Sequence, residues 1–363
     1  MIPLFKVFMN PKIEDYIVPV LKSGFISQGS QVEKFEEKLK DYFNYPYILT
    51  LNSATSGLTL ALKMANLPKN SEVLICPLTC FATTSAILAN NLNIKWVDID
   101  PETCNINLED LKNKITTNTR SICFVHWGGN PVDMDKLNSI KQYTLDKFGF
   151  EIKIIEDCAH SFGAKYKDKK IGTFGNYSIF SLQAIKHLTT GDGGLIFLPN
   201  KEEYERAKLL RWFGISREKR KDLRLEEDIS ESGFKYHMND VNASIGLANL
   251  PFVEENLSVM RRNCQIYNSC LDIDIINMND NSACWLYTIK VKQKEKFIEY
   301  MKSNGVSVSQ VHQRNDGNSC VEKFKTTLPI LDQIEKEIVC IPCGWWLTFE
   351  DIEKIINLIN EFR

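Results

Sequence analysis

The sequence predicts an α/β domain on a mostly parallel sheet, followed by a smaller α+β unit. Three observations carry this. Short apolar, strand-like runs alternate with helix-period segments between residues 47 and 198. The alternation stops near residue 250. Small and polar residues follow the predicted strand ends, as at Asn52, His126, Asp157 and Ser181.

Phe35, Leu39, Tyr42 and Phe43 recur at helical spacing and predict a helix over 33–43. Strands are expected over 47–51, 72–76, 94–97, 120–125, 153–155, 177–181 and 195–198. Between them, helices are expected over 56–65, 81–89, 108–115 and 135–148. The later part reads as helix 256–271, strand 285–291, helix 294–304 and a last helix 348–362. The expected division is 1–250 for the large unit and 251–363 for the small one. In open α/β sheets the ligand lies outside the carboxyl ends of the strands. Asn52–Thr55, Pro77–Phe81, His126, Asp157 and Ser181 therefore line one crevice.

Composition narrows the function classes. The 363 residues include 44 Lys+Arg and 46 Asp+Glu, a net charge of −2. That balance gives no nucleic-acid or membrane footprint. The basic run at 217–222 is followed by acidic Glu226, Glu227 and Asp228 and reads as a solvated loop. The first residues lack a secretory leader pattern, and no apolar run approaches the ~18 residues of a membrane helix. Eleven scattered cysteines suit a reducing cytoplasm. Cys340-Ile341-Pro342-Cys343 has no second such pair and no zinc-spaced histidines, so an apolar strand end is expected there rather than a metal site.

The chemistry concentrates in Phe180–Gly194, where Lys186 sits between an apolar run and the glycine-rich Gly191-Asp192-Gly193-Gly194. A lysine in a walled site can lose its proton and attack a carbonyl carbon. Upstream, the β-branched run 152–155 ends in Glu156-Asp157. A carboxylate there can pair with a protonated pyridine ring. Together these are the two parts a pyridoxal phosphate enzyme must supply. Asn52-Ser53-Ala54-Thr55-Ser56-Gly57 joins a strand to a helix, with small residues and free helix N–H groups suited to a phosphate. The same residues also suit plain helix capping by Ser53 or Thr55, and both readings stand at this point. No Gly-x-x-x-x-Gly-Lys-[Ser/Thr] or Gly-x-Gly-x-x-Gly is present.

In this order, the motifs resemble the fold-type-I pyridoxal phosphate enzymes and, more narrowly, the DegT/DnrJ/EryC1/StrS sugar aminotransferase family. The resemblance rests on Ser23–Gly29, Asn52–Leu62, Val97–Asp100, Val125–Gly129 and Glu156–His160. It continues through Ile171–Gly175, Phe180-Ser181, Lys186–Gly194 and Gly233–Asp240. It implies that Lys186 carries pyridoxal 5'-phosphate covalently and shuttles a proton. It implies that Asp157 binds the pyridinium nitrogen and that Ala54, Thr55 and Ser181 bind the phosphate. His160 falls where the family places Gln or His near the phenolic oxygen, and Gln183 where many members carry His near the phosphate.

Three departures stand out. Cys80 replaces the aromatic residue that stacks on the cofactor, so Cys80 or Phe81 is expected to cover the ring. Lys235 lies where an Asn reaches the neighbouring subunit's phosphate. The family's His-Tyr-x-Pro-x-His run is echoed only by Val311-His312-Gln313-Arg314. The resemblance implies a homodimer with shared sites, moving an amino group from L-glutamate to a nucleotide-linked keto-deoxysugar. Amination of a smaller keto-phosphate is the first alternative. The second is sugar dehydration, for which the family's dehydratases carry His in place of Lys186. A cofactor binder without catalysis is the third, and intact Lys186 and Asp157 argue against it.

Overall fold

The computed structural model describes residues 1–217 and 228–362. Most of the run 217–228, expected as a solvated loop, lies outside the described residues. The chain opens with α1 (Glu14–Ser23) and α2 (Ser30–Phe43). Then come β1 (Ile48–Leu51), α3 (Ala54–Met64), β2 (Glu72–Ile75), α4 (Phe81–Ala89) and β3 (Asn93–Trp96). Next are α5 (Leu108–Lys114), β4 (Thr119–Val125), α6 (Met134–Phe148) and β5 (Lys153–Asp157). A small hairpin, β6 (Lys165–Tyr166) and β7 (Lys169–Lys170), precedes β8 (Tyr177–Ser181), β9 (Gly194–Phe197) and α7 (Lys201–Leu210).

Seven strands form one sheet in the order β1-β9-β8-β5-β4-β2-β3. The β8/β5, β5/β4, β4/β2 and β2/β3 pairs are parallel, and β9 runs against both β8 and β1. Six strands therefore point one way. Helices cover both faces, and β1, β8 and β9 are buried throughout; the edge strand β3 instead alternates half-buried Asn93 and Lys95 with buried Ile94 and Trp96. The carboxyl ends of β1, β2, β4, β5 and β8 deliver Asn52, Pro77, His126, Asp157 and Ser181 to one edge.

The rest of the chain holds α8 (Asp240–Asn249), α9 (Val253–Cys270), β10 (Tyr287–Lys290) and α10 (Lys294–Ser303). It ends with α11 (Pro329–Ile334), β11 (Ile338–Ile341) and α12 (Phe349–Glu361). Strands β10 and β11 pair antiparallel. They lie in a second packed cluster with Tyr267, Phe297, Met301 and Ile355, which Ile2 joins through a bridge to Val306. Cys340 lies in β11 and Cys343 just beyond it, both buried.

Four helices escaped the periodicity reading, of which α11 spans only six residues, too few to show a period. In α7 only Ala207 and Leu210 are buried, so the apolar stripe is too thin to register. Helix α8 buries small residues; a Cβ on Gly246 would lie 2.4 Å from the Phe35 ring, so glycine sets its approach to α2. Asp240, opening α8, also accepts the N–H groups of Gly29, Gln31 and Val32 and so closes the start of α2. Helix α1 carries an internal Pro19 and buries only Val20, so its apolar residues do not mark one inward face. The expected strand 285–291 shortens to 287–290. The N–H groups of Trp285 and Leu286 are drawn off to the carbonyl of Gly128. Among the described residues no helix is long and apolar enough to cross a membrane.

Candidate active site

Asp157 closes β5 and is 3% exposed. Its Oδ2 accepts from the Thr83 hydroxyl at 2.7 Å and its Oδ1 from the Ala159 N–H at 3.0 Å. Burial pushes its pKa up, while those two donors and the nearby Lys186 and His126 pull it down. Behind it, Glu156 accepts from the Asn176 amide at 2.6 Å and lies 3.6 Å from His126 Nε2. His126 Nδ1 accepts from the Val132 N–H, which assigns the ring proton to Nε2, facing Glu156. Cys158 completes a buried trio with these two side chains, but the assigned proton keeps His126 Nε2 from acting as a metal ligand.

Lys186 lies on the loop between β8 and β9. The loop is closed by Leu182 N–H to Gly193 O and Thr190 N–H to Leu182 O, both at 2.9 Å. The Lys186 nitrogen lies 3.2 Å from a ring centre of Trp285. Burial pushes its pKa from 10.5 down to about 7, against the opposing pull of Asp157 and Cys80. His160 stacks on Trp285 at 3.9 Å, and its Nε2 is 3.4 Å from that of His312. Burial, then the Lys186 charge, pushes His160 well below its ordinary pKa and His312 to about 4. Both rings are neutral at pH 7. His160 Nδ1 is buried without a protein partner.

The other end of the crevice is the start of α3. The Ser53 hydroxyl accepts the Ser56 N–H at 3.1 Å, so the capping reading of this stretch holds for Ser53. Ala54 and Thr55 are the first helical residues, and Thr55 is exposed. A Cβ on Gly194 would lie 2.5–2.6 Å from Ser53 and Ala54 backbone atoms, so this turn sits directly on β9. The Ser181 hydroxyl accepts the Gln183 N–H at 3.3 Å, and the exposed Gln183 side chain accepts the Ile185 N–H. Asn52 N–H bonds Tyr236 O at 2.7 Å and its side chain bonds Lys235 O at 3.3 Å. These bonds place the backbone of Lys235 beside the phosphate-loop candidate of its own chain and leave the residue exposed. Cys80 is exposed just before α4, and Phe81 opens that helix at 37% exposure.

Sequence reasoning missed Thr83 and Trp285 and undervalued His312. Trp285 was hidden inside an expected strand. The available signal was Gly128-Gly129, both at positive φ. A Cβ on Gly128 would meet Leu286 O at 3.1 Å, and one on Gly129 would meet His160 O at 2.6 Å. Only glycines let the 283–286 segment reach the site. His312 follows Val311, held at φ 68°, an uncommon conformation for a β-branched residue. Asn315 ties that loop to the Thr84 hydroxyl at 2.9 Å.

A depressed lysine, a buried carboxylate with two fixed donors, an unpartnered imidazole nitrogen and a helix N-terminus fit an aldehyde-bearing pyridine phosphate. Fold and site thus define a fold-type-I pyridoxal phosphate enzyme. A profile of the DegT/DnrJ/EryC1/StrS aminotransferase family matches residues 9–360, and the chain belongs to that family of pyridoxal 5'-phosphate-dependent aminotransferases. The structure of AtS13 from Actinomadura melliaura is similar at TM-score 0.97 and 42% identity, over 100% of this chain and 99% of that one. The sugar aminotransferase CalS13 from Micromonospora echinospora gives 0.96 and 38%, over 100% of both chains. The UDP-4-amino-4,6-dideoxy-N-acetyl-beta-L-altrosamine transaminase of Campylobacter jejuni subsp. jejuni serotype O:23/36 is 30% identical, over 94% of this chain and 92% of its own length.

The lysine makes a pH prediction. Only the neutral amine attacks an aldehyde, so a lowered pKa enlarges the reactive fraction near neutrality. The rate at which cofactor-free protein captures pyridoxal phosphate should rise with pH and level off above about 7. Stopped-flow absorbance checks this; a rate still climbing steeply toward 10.5 would mean an ordinary, solvated lysine.

Proposed function

We propose that the protein transfers an amino group from L-glutamate to the keto group of a nucleotide-linked deoxysugar, as a cytoplasmic homodimer. The observation that carries the reading is Lys186, on the loop that follows β8, with the buried Asp157 carboxylate that ends the neighbouring β5 close enough to act on its charge. The sugar-nucleotide substrate is supported by the named relative and by the structural likeness to a sugar aminotransferase. Eleven unpaired thiols suit a reducing compartment. Division into 1–250 and 251–363 is part of the same proposal.

In this reading Lys186 is the covalent anchor and moves a proton at its Nζ. Asp157 holds the ring nitrogen protonated, with Thr83 and the Ala159 N–H keeping the carboxylate oriented. When bound, pyridoxal phosphate supplies an electron sink and an amino carrier. Ala54 and Thr55 bind the phosphate at the start of α3, with Ser181 and Gln183 flanking it. His160 faces the phenolic oxygen. Cys80 or Phe81 covers the ring. Lys235 reaches the phosphate in the other subunit.

Purified protein with pyridoxal phosphate, glutamate and a panel of nucleotide-linked keto-sugars should yield an amino-sugar visible by mass spectrometry. Borohydride should fix the cofactor on Lys186. Product from keto-phosphates alone would reassign the substrate, and an adduct on another lysine would remove Lys186 from its role.

Asp157→Asn should keep much of the cofactor and lose kcat on the order of 10²-fold, since a neutral amide cannot stabilise the ring cation. Near-normal kcat would refute that role.

Subunit mixing tests Lys235. Lys235→Ala and Lys186→Ala parents, inactive alone, should regain activity after subunit exchange, because a mixed dimer pairs both intact lysines in one site. No recovery despite proven exchange would rule out the contact between subunits.

A further inference from the structure

The indole of Trp285 is held more tightly than packing alone requires. It is 4% exposed. Its backbone N–H bonds Gly128 O at 2.8 Å, and its ring N–H bonds Ile185 O at 3.0 Å. Phe5 stacks on it at 5.1 Å and His160 at 3.9 Å. The next segment is tied as well, with His187 Nε2 2.9 Å from Ala283 O. One indole thus grips the carbonyl just before Lys186 and offers its π face to the Lys186 nitrogen at 3.2 Å.

We propose that Trp285 is a positioning residue for Lys186, giving the lysine a fixed seat on the indole face at the stage of transfer when its nitrogen is not bonded to the cofactor. The inference rests on the reading of Lys186 as the cofactor lysine. A transaminase lysine must alternate between bonded and free states. When free, it must stay within reach and keep a proton at Nζ to return. A flexible four-carbon stem gives no such precision. An indole face attracts the ammonium through its quadrupole, and more strongly where water is excluded. Holding Ile185 O fixes where the stem starts, and the face fixes where it ends.

The charge environment makes this contact matter. Burial favours the neutral amine. Asp157 from β5 and Cys80 from the loop before α4 favour the ammonium. His160, His187 and His312 also face the lysine, and burial, together with the lysine's own charge, pushes all three down, so they add no cation near pH 7. The indole is the uncharged group that still favours the protonated state. It counters desolvation without adding a competing carboxylate.

The test replaces the tryptophan at 285 by indoles bearing increasing numbers of fluorines, introduced at that codon only. Shape and ring N–H persist while the quadrupole weakens. Each full-length protein is studied cofactor-free and loaded with pyridoxamine 5'-phosphate, which leaves Lys186 unbonded. Trace acetic anhydride labelling across pH, with peptide mass mapping, reads the Lys186 pKa. In both states it should fall stepwise, by about one unit for the most fluorinated indole. Trp285→Phe, which keeps a face and loses the ring N–H, should stay closer to the native value than Trp285→Leu. A pKa that ignores fluorination, or follows it only without pyridoxamine phosphate, overturns the proposal. Borohydride mapping with pyridoxal phosphate on the native protein separates the two readings. An adduct on Lys186 with an unmoved pKa defeats the indole seat alone. No adduct there defeats the cofactor-lysine reading itself.

Discussion

A carboxylate removed from water at the end of a central strand constrains everything around it. Asp157 is surrounded by β4 and β8 in register, so it cannot swing to solvent. An isolated buried carboxylate would take up a proton. Thr83 and the Ala159 N–H occupy one oxygen each, and both are rigid. Thr83 lies on the first turn of α4, so the position of that helix is coupled to the state of the carboxylate. The nearby Lys186 and His126 also favour the charged carboxylate.

The second constraint is that the site is completed by distant chain. Trp285 and His312 come from beyond residue 250, yet both reach the ring cluster around Lys186. Gly128 and Gly129 make this possible by removing side chains where the 283–286 backbone crosses. Asn315, bonded to the Pro77 carbonyl and the Thr84 hydroxyl, secures the other loop against the start of α4. Trp285 and Leu286 pack in the same apolar cluster as the large sheet, so the later segment closes the crevice as part of the main core. Burial there lowers the Lys186 pKa to about 7, so much of its amine is neutral near neutral pH.

Much of this was legible because strands and catalytic residues share a local code. Apolar runs marked β1, β5, β8 and β9, and the residues at the carboxyl ends of β1, β5 and β8 marked the crevice, while β9 runs the other way. Lys186 and Asp157 stood out because a lysine before a glycine-rich turn and a carboxylate at a strand end are informative within a few residues. Helices α1, α7 and α8 were not legible, nor was the six-residue α11. The first two carry no clean inward stripe, and α8 packs through Gly246 and its small neighbours against Phe35. Periodicity detects hydrophobic faces and is blind to close approach.

The sequence by itself determined the class of fold, the order of its motifs, the identity of the cofactor lysine candidate and its acidic partner. Those depend on side-chain type and on spacing along one stretch of chain. Only the tertiary structure decided which residues surround that lysine. Thr83 under Asp157, Trp285 beneath Lys186 and His312 against His160 are pairs separated by 74, 99 and 152 residues, counted from their positions. No periodicity spans such distances. Their meeting follows from how the sheet, the Gly128-Gly129 turn and the later segments pack, and burial at that meeting point sets the lysine's chemistry.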